Sequence, residues 1–430
     1  MCDTLYSAPG GSQGSCFAKN SDRHPEEPQA LCLVPPRAPA AHTAFGGLSF
    51  DAPDSGYSYV LSKPSWMPGG EMGVNSRGLA VGNEAVFSRF KVKKDGVLGM
   101  ALLRATLASA GSAAGARDLI CSFVETHDQG GNGAYKGSLV YSNSFIVSDP
   151  SEAFVVETAG RRWAWKNAGK AATISNAYSI GEDAGGMDSR SRSELETARG
   201  GTRGGKSWRS LVEDRFYLAF SKGDSRRSCT AAAIAGDSPA GLDTMLKALR
   251  DHGPRRSDGR DMAAPCVHEA GFPVKSTATA SLVVEYPAPR SGSGGSAAAP
   301  GAGKGAWAIA WFSATPYPCL SLFAPIVLSD SGFVPLWTGY DYAEDSRESY
   351  ARWERSRLRA RVLGGALRSS DPAFRDMRDA LQGRLRDEAV GSYLKAPGDA
   401  ALARARATVG TMMADWDSFL ERLAAGGIHT

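Results

Sequence analysis

The sequence lacks most of the features that mark special classes of protein. Its six histidines and seven cysteines are scattered, the cysteine count is odd, and no Cys-x-x-Cys pair occurs. That argues against a disulfide framework and offers no familiar zinc-ligand spacing. No apolar run approaches the ~18 residues that suggest a membrane span. The start, Met1-Cys2-Asp3-Thr4-Leu5, has no basic stretch leading into an apolar one. No secretory signal is visible, so a cytoplasmic location is expected. Charge of one sign is not in excess: 49 basic and 45 acidic residues leave a net +4. No Lys/Arg run forms an electrostatic footprint for nucleic acid. The expected partners include neither nucleic acid nor membrane, and nothing in the chain demands a metal or an organic cofactor. The sequence leaves a homo-oligomer open.

What is present is the composition of a globular protein with a large core, 42% hydrophobic and 22% charged. At roughly 100–200 residues per domain, 430 residues allow one large domain or two ordinary ones. The first 88 residues are rich in Gly and Pro, with strands expected at 3–7 and 78–86. The second carries the Leu79/Val81 alternation. Leu98, Leu102, Leu103 and Leu107 predict a helix over 96–110. Leu119, Ile120, Phe123 and Val124 predict another after Ser112, a suitable N-cap.

Short strands at 144–147, 153–157 and 162–166 follow, with Asp149-Pro150-Ser151 and Ala159-Gly160 as turns. The polar stretch 181–207 reads as an exposed loop, and 208–220 and 242–250 as helices. Strands at 279–285 and 306–312 flank an insertion, 287–305, made almost wholly of Pro, Ala, Gly and Ser. Such a segment cannot bury enough apolar surface to fold and is expected to be disordered. From about Tyr342 the chain is Arg/Ala/Leu-rich and helical. The reading is an α+β domain over 2–340 with a helical region, 341–430, packed on it.

The chemistry lies at the N-terminus. A small second residue permits removal of Met1, which makes Cys2 the first residue of the mature chain. A terminal cysteine holds a nucleophilic sulfur and a free α-amine on one residue. The amine's reference pKa of about 8 lets it act as base for its own side chain. The run Phe17-Ala18-Lys19-Asn20-Ser21-Asp22-Arg23 lies one hairpin further on, across the Gly/Ser-rich turn 10–15. That hairpin returns Asp22 to the side of Cys2, where a carboxylate orients the α-ammonium. Asn-Ser-Asp is also ordinary turn chemistry. Cys266-Val267-His268 places two potential ligands on one face of a strand. No third ligand is evident from the sequence, so His268 reads as structural.

Cys-Asp-Thr at the mature start, followed by Lys-Asn-Ser-Asp-Arg, resembles peptidase family C69, the bacterial dipeptidases together with the animal secernins. Further blocks agree in order: Glu71-Met72-Gly73-Val74-Asn75, Gly82-Asn83-Glu84-Ala85-Val86, Gln129-Gly130-Gly131-Asn132, Asn143-Ser144-Phe145, Glu157-Thr158-Ala159-Gly160 and Ile174-Ser175-Asn176. Cys266-Val267-His268 and Pro318-Cys319-Leu320-Ser321-Leu322-Phe323 extend the resemblance to about residue 325.

The resemblance implies an N-terminal-nucleophile (Ntn) hydrolase fold, an αββα sandwich here with a helical C-terminal extension. It implies hydrolysis of dipeptides or small acyl amides through a thioester on Cys2. It places Lys19 and Asp22 at the basic and acidic positions of the hairpin, with lysine where relatives often carry arginine, so that a planar fork is lost. It makes Asn83 and Asn176 the donors of an oxyanion hole, since an amide donates N–H bonds without carrying charge. The wider group's late catalytic arginine has no evident counterpart, and small polar residues at 276–279 are the expected substitutes. The alternative is a secernin-like protein, non-catalytic or modified at its N-terminus, that acts through protein partners.

Overall fold

The structure, a computed structural model, describes residues 2–36, 56–199, 207–236, 239–253, 262–270, 275–286, 306–329, 332–363 and 371–425. The chain opens with β1 (Cys2–Ser7), β2 (Cys16–Arg23), β3 (Gln29–Val34), β4 (Tyr59–Pro64), β5 (Met72–Asn75) and β6 (Ala80–Val86). Helices α1 (Gly99–Ser109) and α2 (Ala113–Thr126) come next. They lead to β7 (Ser142–Ser148), β8 (Ala153–Ala159), β9 (Arg162–Asn167), β10 (Ala171–Ile174) and β11 (Gly186–Met187).

Five helices follow: α3 (Ser189–Arg199), α4 (Trp208–Val212), α5 (Arg215–Ser221), α6 (Gly223–Ala235) and α7 (Leu242–Leu249). The last strands are β12 (Thr277–Glu285), β13 (Ala306–Ser313), β14 (Ala324–Ser329) and β15 (Gly332–Pro335). The C-terminal helices are α8 (Arg347–Val362), α9 (Pro372–Arg384), which runs on through a π-helical turn, and α10 (Asp399–Ala424).

The strands form two antiparallel sheets. One has the order β10-β1-β2-β12-β13-β14-β15, the other β11-β9-β8-β7-β6-β5-β4-β3. They stack face to face. Gly82 on β6 shows how close they come: a Cβ there would lie 2.5 Å from Lys19 Cδ and 3.0 Å from Phe17 Cζ on β2. The outer face of the second sheet is covered by α1 and α2, through a core that includes Leu61, Val81, Leu103, Leu107, Ile120, Val124, Phe145 and Val147. Helices α6 and α7 cover the outer face of the first sheet. The layers are therefore helix, sheet, sheet, helix, as the expected αββα sandwich requires.

Local chemistry explains the elements. Ser112 caps α2 by accepting from Gly115 N, and Asp149 takes up the next free donor, Ala113 N, at 2.8 Å. Along α10, Ala401, Ala405, Val409, Met412, Met413, Trp416 and Leu420 recur at helical spacing and are all buried. The large side chains among them each gain roughly 1.5–3 kcal/mol of transfer free energy. Buried polar groups fasten this region to the sandwich: Trp353 Nε1 donates to Thr279 O and Trp416 Nε1 to Leu320 O, while Arg104 forks onto Glu344.

Two expectations need correction. The stretch read as an exposed loop over 181–207 contains β11 and α3. Helix α3 is polar on most sides and seats Ser191 and Leu195, too thin an apolar stripe to stand out in the sequence. The helix expected over 208–220 is two, broken where Asp214 caps α5. The insertion 287–305 lies outside the described residues, and the strands on either side of it pair as the expected hairpin.

Candidate active site

Strands β1 and β2 pair antiparallel with Cys2 opposite Ser21, which places Asp22 one residue beyond the partner of Cys2. The hairpin inferred from the spacing is therefore present, closed at the Gly10–Gln13 bridge. β12 runs along its other side with Ala278 opposite Asp22.

The pleat sorts the polar residues onto two sides. Toward the second sheet stand Cys2, Thr4, Lys19 and Arg23. Cys2 Sγ lies 3.5 Å from Glu71 Oε2, and Arg23 bridges Glu71 at 3.1 Å and Glu27 at 2.6 Å. Lys19 Nζ is wholly buried and donates to Asn83 O at 2.8 Å and Glu84 Oε1 at 3.1 Å. The same Glu84 oxygen accepts from Thr4 Oγ1. Toward α6 and α7 stand Asp3, Asn20 and Asp22. Arg226 of α6, also wholly buried, reaches Asp3 through Nε at 3.1 Å and Ser175 Oγ through NH2 at 2.9 Å. Asn20 is pinned by bonds to Leu249 O and Pro265 O.

The nitrogen of Cys2 sits where the two sides meet. It donates to Asn176 Oδ1 at 2.9 Å. That oxygen also accepts from Arg226 NH2, and Asn176 Nδ2 donates to Ala85 O at 2.7 Å. The asparagine therefore grips the nitrogen of Cys2 through its oxygen, and one of its two amide hydrogens is taken by Ala85 O, which leaves the other for the oxyanion role implied by the resemblance. Asn83 takes a different part. Its neighbours Gly82 and Glu84 face Lys19, so its side chain turns to the α1 side and donates to Asn143 Oδ1 at 3.3 Å. Only its backbone carbonyl meets Lys19. The small polar residues at 276–279 are backbone ties: Thr277 Oγ1 to Val267 O and Thr279 Oγ1 to Ser21 O.

Burial governs the electrostatics. It pushes the Cys2 thiol up to about 12, with Glu71 and Asp22 adding and Lys19 and the amino terminus opposing. It pushes Asp22 up to about 7 against the pull of the amino terminus, Arg226 and Lys19. Glu84 likewise rises to about 7 through burial, opposed by Lys19. For Lys19 burial works against the charge, but Cys2, Glu84 and Glu71 outweigh it and hold the ammonium above its usual range. Tyr141, buried near Glu71, Arg23 and Cys2, is held protonated, by burial first and then by Glu71.

The structure thus gathers Cys2, Lys19, Asp22 and Asn176 at one sheet end, with Asn83 contributing a carbonyl. Sequence reasoning missed Arg226 and gave Glu71 no role. One signal existed for the arginine: Asp3 is the one charged residue of β1, a strand buried along its length, and needs a cation there. Which of the chain's many arginines answers it is a matter of tertiary structure.

A two-sheet sandwich between helical layers, with cysteine and its nitrogen held at the start of an inner strand, defines the class. Residues 10–162 match the family described as acyl-coenzyme A:6-aminopenicillanic acid acyl-transferase. This match supports membership of the N-terminal-nucleophile hydrolase superfamily and does not single out the C69 dipeptidases within it.

Similar solved structures include penicillin V acylase from Agrobacterium tumefaciens, at 10% identity over 78% of this chain and 92% of that one, with a TM-score of 0.42. The C2A mutant of conjugated bile acid hydrolase from Clostridium perfringens matches at 12% identity over 73% and 89%, with a TM-score of 0.41. The Caenorhabditis elegans ortholog of N-acylethanolamine-hydrolyzing acid amidase matches at 9% identity over 66% and 92%, with a TM-score of 0.34. Likeness at this level assigns no residue and no substrate.

Proposed function

We propose that the chain is a cysteine N-terminal-nucleophile amidohydrolase whose substrates are dipeptides or small acyl amides, in the manner of the C69 peptidases. The observation that carries this reading is the grip on the Cys2 nitrogen by Asn176 Oδ1 at 2.9 Å. An acceptor there suits an amine that must be held beside its own sulfur once Met1 is gone.

In this reading the amine takes the thiol proton and Sγ attacks the amide carbonyl carbon. The tetrahedral intermediate collapses, the C–N bond breaks, and the ammonium returns its proton to the departing amine. A thioester remains on Cys2. Water, deprotonated by the same amine, cleaves it and restores the thiol. Arg226 orients the amine through the Asp3–Arg226–Asn176 chain, and Asp22 acts on it by charge. Lys19 favours the thiolate by its charge, and the Tyr141 hydroxyl is a donor close to the reacting atoms.

A second reading, a non-catalytic protein of the secernin kind that acts through protein partners, is favoured by the burial of Cys2, which is only 4% exposed. One experiment separates the two. Intact mass gives the mature N-terminus, and a panel of dipeptides and acyl amides is then assayed with wild type and Cys2→Ala. Loss of Met1 with turnover that vanishes in Cys2→Ala supports the enzyme. A retained or blocked N-terminus with no turnover supports the binding protein.

A further inference from the structure

Behind the strand end that carries Asp22, on the helical side, four side chains from three separate segments converge. His252 follows α7, Cys266 and His268 lie on the segment leading to β12, and Cys319 sits in the 3-10 turn Pro318–Leu320. Their ligand atoms all lie within 4.8 Å of one another. Cys266 and Cys319 are fully buried, His268 is 5% exposed and His252 is half-buried. The Cys-x-His pair dismissed in the sequence for want of a third ligand has two more.

The arrangement is closer than ordinary packing brings four such groups. His268 Nε2 lies 3.2 Å from Cys266 Sγ, 3.2 Å from Cys319 Sγ and 3.3 Å from His252 Nε2. A ring nitrogen has one lone pair or one N–H, so His268 Nε2 cannot bond all three of these neighbours at once. Four ligand atoms this close together are what a cation needs. With Zn–N near 2.05 Å and Zn–S near 2.3 Å, a tetrahedron has N–N edges of about 3.3 Å and S–N edges of about 3.6 Å. The observed separations lie within a few tenths of an ångström of these edges. Two thiolates and two neutral imidazoles also cancel a divalent charge, so the buried centre would carry no net charge. An S₂N₂ donor set favours zinc over the harder cations.

The surroundings are built to hold the ligands. Arg250 clasps the Cys319 turn through Pro318 O and Ser321 O, and Arg378 donates to Cys319 O at 2.7 Å. Asp251 O accepts from Cys266 N at 2.9 Å, which ties the His252 and Cys266 segments together. Tyr317, just before the turn, and Glu269, just after His268, are non-glycine residues at φ 64° and 46°. Such backbone is held in place by the structure around it.

We propose that His252, Cys266, His268 and Cys319 bind one zinc ion in tetrahedral Cys₂His₂ coordination. The ion clamps the end of α7, the segment before β12 and the 3-10 turn into one support. That support backs the strand end carrying Asp22: Pro265 O and Leu249 O hold Asn20, and Val267 O accepts from the nitrogen of Ala278, the partner of Asp22. The role is structural, and the inference stands whether or not Cys2 is a nucleophile.

The test uses the full chain without a polyhistidine tag, purified under reducing conditions. Elemental analysis should give one zinc per chain, and the Cys266→Ser/Cys319→Ser variant should contain none. To keep the test independent of that variant's folding, wild type and Cys2→Ala are also stripped with a chelator and titrated with cobalt(II). Both should develop the visible absorption of tetrahedral thiolate-bound cobalt with a one-to-one endpoint and recover the thermal midpoint lost on stripping. Four results would overturn the proposal: wild type with neither zinc nor a cobalt spectrum, a spectrum that disappears in Cys2→Ala, a disulfide between Cys266 and Cys319, or zinc retained by the double variant.

Discussion

Asn176 Oδ1 accepts from the nitrogen of Cys2 across 174 positions of sequence, and the same oxygen accepts from Arg226. An asparagine on the segment after β10 thus connects the start of the chain to a buried guanidinium on α6. A single oxygen serves both donors, so the position of the Cys2 nitrogen is tied to that of the guanidinium.

Cys2→Ala should remove all measurable hydrolysis of any substrate the wild type cleaves. Cys2→Ser should leave at most a trace, since a hydroxyl is far less acidic than a thiol. Both should fold, because the strand pairing from Cys2 to Ser7 does not depend on the sulfur. The checks are turnover and the thermal midpoint. Turnover near wild type in the alanine variant would remove Cys2 from the chemistry.

Asp22→Asn should act in opposite directions on activity and stability. With the carboxyl pushed up to about 7 by burial, the fold prefers it protonated. Its contribution to stability is full below about pH 4 and is lost as pH rises through about 7. The asparagine does not ionise, so the variant should gain on wild type across that window in denaturant titrations. Activity should fall by on the order of 10²-fold for a mispositioned base, with the acidic limb of kcat/KM moved toward lower pH as the amine loses an anionic neighbour. Identical pH profiles with equal maxima would leave Asp22 a turn residue.

Arg226→Gln leaves Asp3 buried without its cation, a change that typically removes about 3–5 kcal/mol. Adding Asp3→Asn should restore most of that stability and none of the activity, because the hold on Asn176 Oδ1 stays broken. Urea midpoints and kcat/KM on the single and double variants separate the two effects. Recovery of both together would make the pair purely structural.

Lys19→Met and Glu71→Gln should move the Cys2 thiol in opposite directions. Lys19 lowers the thiol and Glu71 raises it. The rate of alkylation by iodoacetamide, followed against pH at Cys2 by peptide mass, should therefore shift to higher pH in the lysine variant and to lower pH in the glutamate variant. Shifts of the same sign in both would show that the side chains act by packing and not by charge.

What the sequence revealed was local. The hairpin from Cys2 to Asp22 follows from a Gly/Ser-rich turn between two short strands. Helices α1 and α2 follow from leucine spacing and the Ser112 cap. Strands β3 to β5 escaped notice because they are buried on both faces and show no alternation. Helix α3 escaped because its apolar stripe is thin. Cys2, Lys19, Asp22 and Asn176, which the structure brings together, all lie within motifs. Arg226 lies in no motif, and the directions in which Asn83 and Asn176 point depend on strand parity and on partners far away in sequence. The cluster of two histidines and two cysteines was illegible for the same reason, since its ligands come from segments that only the fold brings together.

The pleat of the first hairpin also bears on which genetic changes the protein tolerates. Lys19 and Asp22 reach opposite faces only because each strand keeps its parity. A single codon inserted between residues 16 and 19 would turn the lysine toward α7 and the aspartate toward the facing sheet. Substitution is better borne at the exposed tip of the turn, residues 11–13, where no side chain has to reach either face.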